Sequence, residues 1–166
     1  WGGMDLGLSW AGIKIEFANE IDVNAAKTYS KNLGSKVAEG SITELNAADI
    51  PDVDMYVGGF PCQPFSTAGK RGGCEDPRGQ CFFSCRDYID SQRPELFILE
   101  NVSGICTIED GSVLRIIIEM LSWIGCGAYQ VDKFLLNSED FGVPHHRVRC
   151  FIIGRRRERV VTEALR

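Results

Sequence analysis

Apolar residues along this chain fall into two alternating patterns, one suited to strands and the other to helices. "IKIEFANE" (13–20) is rich in Ile and Phe and predicts a strand. "DVNAAKTYSKNLG" (22–34) sets Ala25, Ala26, Tyr29 and Leu33 on one helical face, with Asp22 as cap and Gly34 as stop. "DMYVGG" (54–59) predicts the next strand and "GQCFFSCRDYIDSQ" (79–92) a helix. "ELFILEN" (95–101) is almost continuously apolar, as a strand covered on both faces would be. "SVLRIIIEMLSWIG" (112–125) predicts a helix that turns Leu114, Ile117, Leu121 and Ile124 inward and closes on Gly125. "YQVDKFLLN" (129–137) and "VRCFIIG" (148–154) complete the strands. Such alternation implies an α/β fold around a mostly parallel sheet. No repeat, low-complexity tract or linker breaks the pattern, and 166 residues suffice for one compact domain.

Composition narrows the class only a little. Hydrophobic residues make up 44% and charged residues 25%, as in an ordinary soluble domain. No apolar run approaches the roughly 20 residues of a membrane-spanning helix, and no secretory signal opens the chain. Seven cysteines, at 62, 74, 81, 85, 106, 126 and 150, are odd in number and lack the paired spacing of a zinc site. A reduced, cytoplasmic setting suits them. The net charge is −5, but residues 1–58 carry nine acids against four bases, and six arginines crowd between Arg147 and Arg159. A nucleic-acid-binding domain is usually more basic. Any phosphate contact is therefore expected to be local, or made by another segment.

In α/β sheets, ligands lie beyond the carboxyl ends of the strands. The polar residues expected there are Glu20, Cys62 just past Gly58 and Gly59, and the pair Glu100–Asn101. Cys62 sits in "GGFPCQPFS" (58–66), stiffened by Pro61 and Pro64. It reads either as a small hydrophobe or as a pre-organised nucleophile. A carboxylate ending a greasy strand has to be paired, or has to keep its proton. Glu100 and Asn101 could simply bond the amides of the next helix. Alternatively, Glu100 donates a proton into a pocket shared with Cys62. His145 and His146 are too few for a metal site, so none is expected.

"GGFPCQPFS", "DPRGQCFF" (76–83), "ELFILENV" (95–102) and "NSEDFGVPHHRVRCFIIG" (137–154), in that order, resemble the cytosine-C5 DNA methyltransferase family. The resemblance runs from Trp1 to about Gly154. It implies a Rossmann-like S-adenosylmethionine-dependent methyltransferase fold, truncated, with the first strand and the target-recognition region missing. It implies a partial catalytic domain over 1–166, with a cofactor-binding part at 1–58, catalytic segments at 59–154 and no second domain. Cys62 would attack C6 of a flipped cytosine, Glu100 would serve N3, and Arg147 and Arg149 would support the base and the nucleophile. The methyl donor would be S-adenosylmethionine, held by Gly2, Gly3, Glu20, Ile21, Ser41, Ile42, Pro61 and Cys81. Gln63, Ser66 and Arg78 would meet double-stranded DNA. A cytoplasmic, prokaryotic or phage-encoded enzyme is implied, with a cognate restriction endonuclease as a possible further partner.

The chain departs from the family pattern at three places. Ser41 stands where Asp is usual, His145 where Gln is usual, and Cys81 where Leu is common. With a central strand missing, these 166 residues alone are expected to bind cofactor poorly and not to methylate. Three other functions compete. A tRNA cytosine methyltransferase would tend to carry Pro-Pro-Cys-Gln where this chain has Phe60-Pro61-Cys62-Gln63. A non-catalytic binding module would not need Cys62, Glu100 and Arg149 together. A Rossmann oxidoreductase would need a Gly-x-Gly-x-x-Gly turn.

Overall fold

The computed structural model describes residues 2–34, 37–45, 50–61 and 77–157, with the first three residues of the last span described by backbone alone. The first part contains helix α1 (Gly3–Trp10), strand β1 (Asn19–Glu20), helix α2 (Val23–Leu33) and strand β2 (Ala38–Glu39). Strands β3 (Met55–Gly59), β4 (Leu96–Val102), β5 (Tyr129–Asn137) and β6 (Val148–Arg156) form the second part, with helices α3 (Pro77–Gln92) and α4 (Ser112–Ser122).

The strand expected over 13–20 shrinks to its last two residues. Ile13, Ile15 and Phe17 are half-buried while Lys14 and Glu16 are exposed, so the alternation is kept. A ladder needs a partner, and β2 offers only Ala38 and Glu39, opposite Asn19 and Glu20. The expected helix over 112–125 also ends early, at Ser122. Gly125 and Cys126 both have positive φ, which no α-helix accommodates.

Helix α2 begins and ends where its sequence says. Asp22 Oδ1 accepts the Ala25 N–H at 2.7 Å, and Gly34, at φ 69°, donates its N–H to Ser30 O. Helix α2 buries Ala25, Ala26 and Tyr29, and the Tyr29 hydroxyl reaches α1 to donate to Asp5 Oδ2 at 2.7 Å. Burial and that carboxylate together push the Tyr29 hydroxyl well above its ordinary pKa. Gly2 is glycine for a packing reason as well as its φ of 74°. A Cβ there would lie 2.7 Å from the Tyr29 ring.

The larger sheet has the order β3–β4–β6–β5. The β1–β2 and β3–β4 pairs are parallel, whereas β6 runs antiparallel to both β4 and β5. The sheet is therefore mixed, with its antiparallel part at the C-terminal strands. One face carries Phe97, Leu99, Cys150 and Ile152 and is sealed by Phe82, Cys85 and Ile89 of α3 and Leu114, Ile117 and Leu121 of α4. Gly154 lies opposite Phe97, whose ring occupies the space a side chain would need, since a Cβ would sit 2.0 Å from Phe97 Cζ. Tyr129 packs on Phe97 with centroids 5.1 Å apart and donates its hydroxyl to Pro94 O at 2.6 Å. The other face carries Ile98, Glu100, Arg149 and Phe151 and is only half-buried. No helix among the described residues is long and apolar enough to cross a membrane.

Candidate active site

Three strand ends converge at one edge of the larger sheet. The parallel pairing of β3 and β4 sets Gly59 beside Glu100. Because β6 runs the other way, its first residues arrive at the same edge, with Arg149 opposite Val102. Glu100 and Arg149 thus share the half-buried face and form an ion pair, with Arg149 Nε 3.0 Å from Glu100 Oε1. The carboxyl group at the end of this apolar strand therefore has a cationic partner at hand. The neighbouring Arg149 Nη1 donates to Val148 O at 2.8 Å, which fixes the guanidinium plane.

A cavity of about 310 Å³ opens here, lined by Phe60, Pro61, Glu100, Asn101, Val102, Arg147 and Arg149. The cavity wall is fixed from behind. Phe60 is buried against Phe82, with ring centroids 5.2 Å apart. Its carbonyl accepts from Asn101 Nδ2 at 2.8 Å, while Asn101 Oδ1 accepts the Val102 N–H at 2.8 Å. Asn101 is only 3% exposed and is the one buried polar side chain among the described residues. An unpaired amide so placed would cost about 1–3 kcal/mol, so these bonds hold the chain leaving β3 against the end of β4. The sequence marked Asn101 as a strand-end polar residue but gave no sign that it reaches Phe60, 41 positions away.

Other sequence-selected residues lie elsewhere. Cys62, Gln63 and Ser66 fall outside the described residues, as does the side chain of Arg78. Pro61, next to Cys62 in the chain, lines the cavity with Glu100. Glu20 ends β1 and Ser41 lies two residues past the end of the parallel β2, so both stand at the same end of that pair. Glu20 Oε1 accepts the Asp22 N–H at 3.1 Å, and Ser41 Oγ accepts the Thr43 N–H at 3.2 Å, capping the short turn Ile42–Glu44. Ile21 is exposed, while Ile42 packs on the core. Gly3 opens α1 with free space about it, and Gly2 is pressed by α2. Cys81 lies on α3 against the core, not in the cavity. A hydrogen bond with Cys85 lowers the Cys81 pKa and, with burial, raises that of Cys85. Cys150, behind the site, is pushed up to about 12 chiefly by burial, so it stays a thiol.

The arginine-rich stretch is divided by the strand it forms. Arg147 and Arg149 stand at the cavity, whereas Arg156 is seven residues further along β6, roughly 23 Å away at strand rise. There Arg156 pairs with Glu95 and donates to Arg93 O.

The family model for the C-5 cytosine-specific DNA methylase matches residues 1–164. The chain belongs to this family. The type II methyltransferase M.NgoBI of Neisseria gonorrhoeae is 41% identical over 153 residues, covering 92% of this chain and 47% of that protein. M.HaeII of Haemophilus aegyptius is 40% identical over 153 residues, with the same coverage. The chain thus spans about half the length of these curated relatives. Among solved structures, a mutant of Spodoptera frugiperda DNMT2 superposes with a TM-score of 0.76 at 27% identity, covering 99% of this chain and 50% of that one.

Proposed function

We propose that this chain carries the catalytic half of a DNA cytosine-C5 methyltransferase, with residues 1–58 serving the cofactor and 59–154 the base. One observation carries the reading. Glu100, Arg149 and Pro61 are gathered at one cavity, and Cys62 is the next residue in the chain.

The residue types match the reaction. C5 of cytosine is a weak nucleophile. Addition of the Cys62 thiolate to C6 forms a C–S bond and moves the ring's π electrons towards C5. A proton held by Glu100 at N3 withdraws electron density from C6 and so makes that addition feasible. Arg149 and Arg147 set positive charge beside the ring carbonyl, and a nearby guanidinium also favours thiolate over thiol. Once C5 has bonded the methyl group, its C–H bond would break with the proton passing to a base, and that electron pair would re-form the C5–C6 double bond as the C6–S bond breaks and the thiolate leaves. The base has to leave the duplex to reach these groups. Gln63, Ser66 and Arg78 are assigned to the DNA around it.

The cofactor residues fit S-adenosylmethionine by their chemistry. A carboxylate offers about four acceptor sites, enough for Glu20 to keep its bond to Asp22 and receive ribose hydroxyls. Ile21, 69% exposed beside it, offers an apolar face for adenine. Ser41 supplies a hydroxyl and Ile42 apolar support at the same edge, and Gly3 leaves open space for close approach. Gly2, Pro61 and Cys81 complete the assignment. When bound, S-adenosylmethionine supplies an electrophilic methyl group. The type II names of the relatives favour DNA as acceptor, a restriction endonuclease as companion and a cytoplasmic location.

The test is covalent trapping with the intact protein. Duplex DNA bearing 5-fluorocytosine cannot lose the group at C5, so protein and DNA should stay joined in denaturing gels. Absence of the adduct, or its persistence in Cys62→Ala, would remove the mechanism. Labelled methyl transfer to DNA and to tRNA decides the acceptor.

A further inference from the structure

Arg147 lines the cavity but lies just beyond the β5–β6 ladder, which ends at the Asn137–Val148 pair. Its backbone N–H therefore has no strand partner. It donates instead to Asn137 Oδ1 at 3.0 Å, while the Arg147 carbonyl accepts from Ser138 N at 3.2 Å. The Asn137 amide is itself held, since Nδ2 donates to Glu139 Oε2 at 2.8 Å. The same carboxylate oxygen lies 2.8 Å from His146 Nδ1, and His146 is the residue directly before Arg147. Three side chains thus close a ring of contacts around the start of β6. None of the three lines the cavity.

We propose that Asn137, Glu139 and His146 are positioning residues that set Arg147 at the mouth of the cavity. The inference rests on the methyltransferase reading for its catalytic consequence, but not for the brace itself. The members differ in weight. Asn137 touches the Arg147 backbone, whereas His146 acts one step back, by holding Glu139 and by placing its Nδ1 3.2 Å from Asn137 Nδ2. Hydrogen bonds from His146 and then Asn137 keep the Glu139 carboxyl below its ordinary range, so the acceptor at the centre of the ring stays charged near neutral pH. A single exposed contact between an imidazole and a carboxylate contributes little. Here the pair fixes the orientation of an amide that would otherwise rotate.

The experiment uses the intact protein, labelled S-adenosylmethionine and unmethylated genomic DNA. Asn137→Ala should slow methyl transfer about tenfold and His146→Ala about threefold, with KM for the cofactor unchanged within about twofold. His146→Asn places an amide nitrogen near the Nδ1 position and should restore most of the rate. In an Arg147→Ala background, neither Ala change should add more than about twofold, because both act through Arg147. Additive losses, a raised cofactor KM or no rescue by Asn would overturn the proposal. Amide hydrogen exchange at Arg147 reads the brace without catalysis and should quicken in Asn137→Ala. If the unaltered protein methylates no DNA, the functional reading fails, and exchange alone then judges the brace: unchanged exchange in Asn137→Ala sinks it.

Discussion

Glu100 and Glu20 both stand near the carboxyl ends of strands, but their supports differ. Glu100 belongs to a seven-residue strand paired on both sides and backed by the main core. Glu20 ends a two-residue strand whose neighbour is equally short. There a side chain substitutes for ladder length: Asn19 Nδ2 donates to Ala38 O at 2.8 Å and to Gly40 O at 3.0 Å. Packing therefore fixes the acid proposed to serve the base, and a few hydrogen bonds fix the one assigned to ribose. Mutations at the two places should separate into effects on turnover and effects on cofactor binding.

The largest expected difference is catalytic. Glu100→Gln keeps the shape of the cavity but cannot deliver the same proton, and should lower the methyl-transfer rate about 10²–10⁴-fold. Cofactor affinity, read by calorimetry, should stay within about twofold. A comparable loss of affinity would mean the two regions are not separate. Phe97→Ala should destabilise the protein by about 3–5 kcal/mol, seen in the denaturant midpoint, because it empties the space above Gly154 and beside Tyr129. Next comes Asn101→Ala, at about 1–3 kcal/mol, since it strands the Phe60 carbonyl and the Val102 amide. Its rate loss should exceed that of a destabilised core variant matched for stability. Asn19→Ala should cost about 1 kcal/mol and raise KM for the cofactor more than it lowers kcat.

The smallest effect is one of pH. Glu139 has a lowered pKa in the folded chain, so its pairing contributes stability above the ordinary glutamate range. That contribution fades as acid protonates it, from the ordinary range downward. Wild type should therefore melt slightly above Glu139→Gln near neutral pH, and the two should converge on acidification. Curves that stay parallel to low pH would assign the difference to something other than the carboxylate.

Most elements were legible in the sequence because their periodicity is that of a packed face. Ala25, Ala26 and Tyr29, or Leu114, Ile117 and Leu121, are buried at the spacing that announced them. The segment 13–18 misled because alternation reports which side chains turn inward, not whether a neighbour exists to bond the backbone. The direction of β6 was not legible either. An apolar run of strand length carries no sign of parallel or antiparallel pairing, yet that direction brings Arg149 to Glu100 and carries Arg156 away. Asn137 and His146 were obscure for a related reason, since their partners are defined by a turn whose geometry periodicity does not encode.

The amide of Asn101 has one more implication. A strand can slide two residues along its neighbour and still present the same faces, so apolar packing alone tolerates such a slip. The Phe60 carbonyl is the acceptor within reach of that buried amide, and sliding β3 would leave it without a partner. The spacing between Glu100 and Pro61, the residue before Cys62, is therefore locked by a single bond, not left to the fit of greasy surfaces.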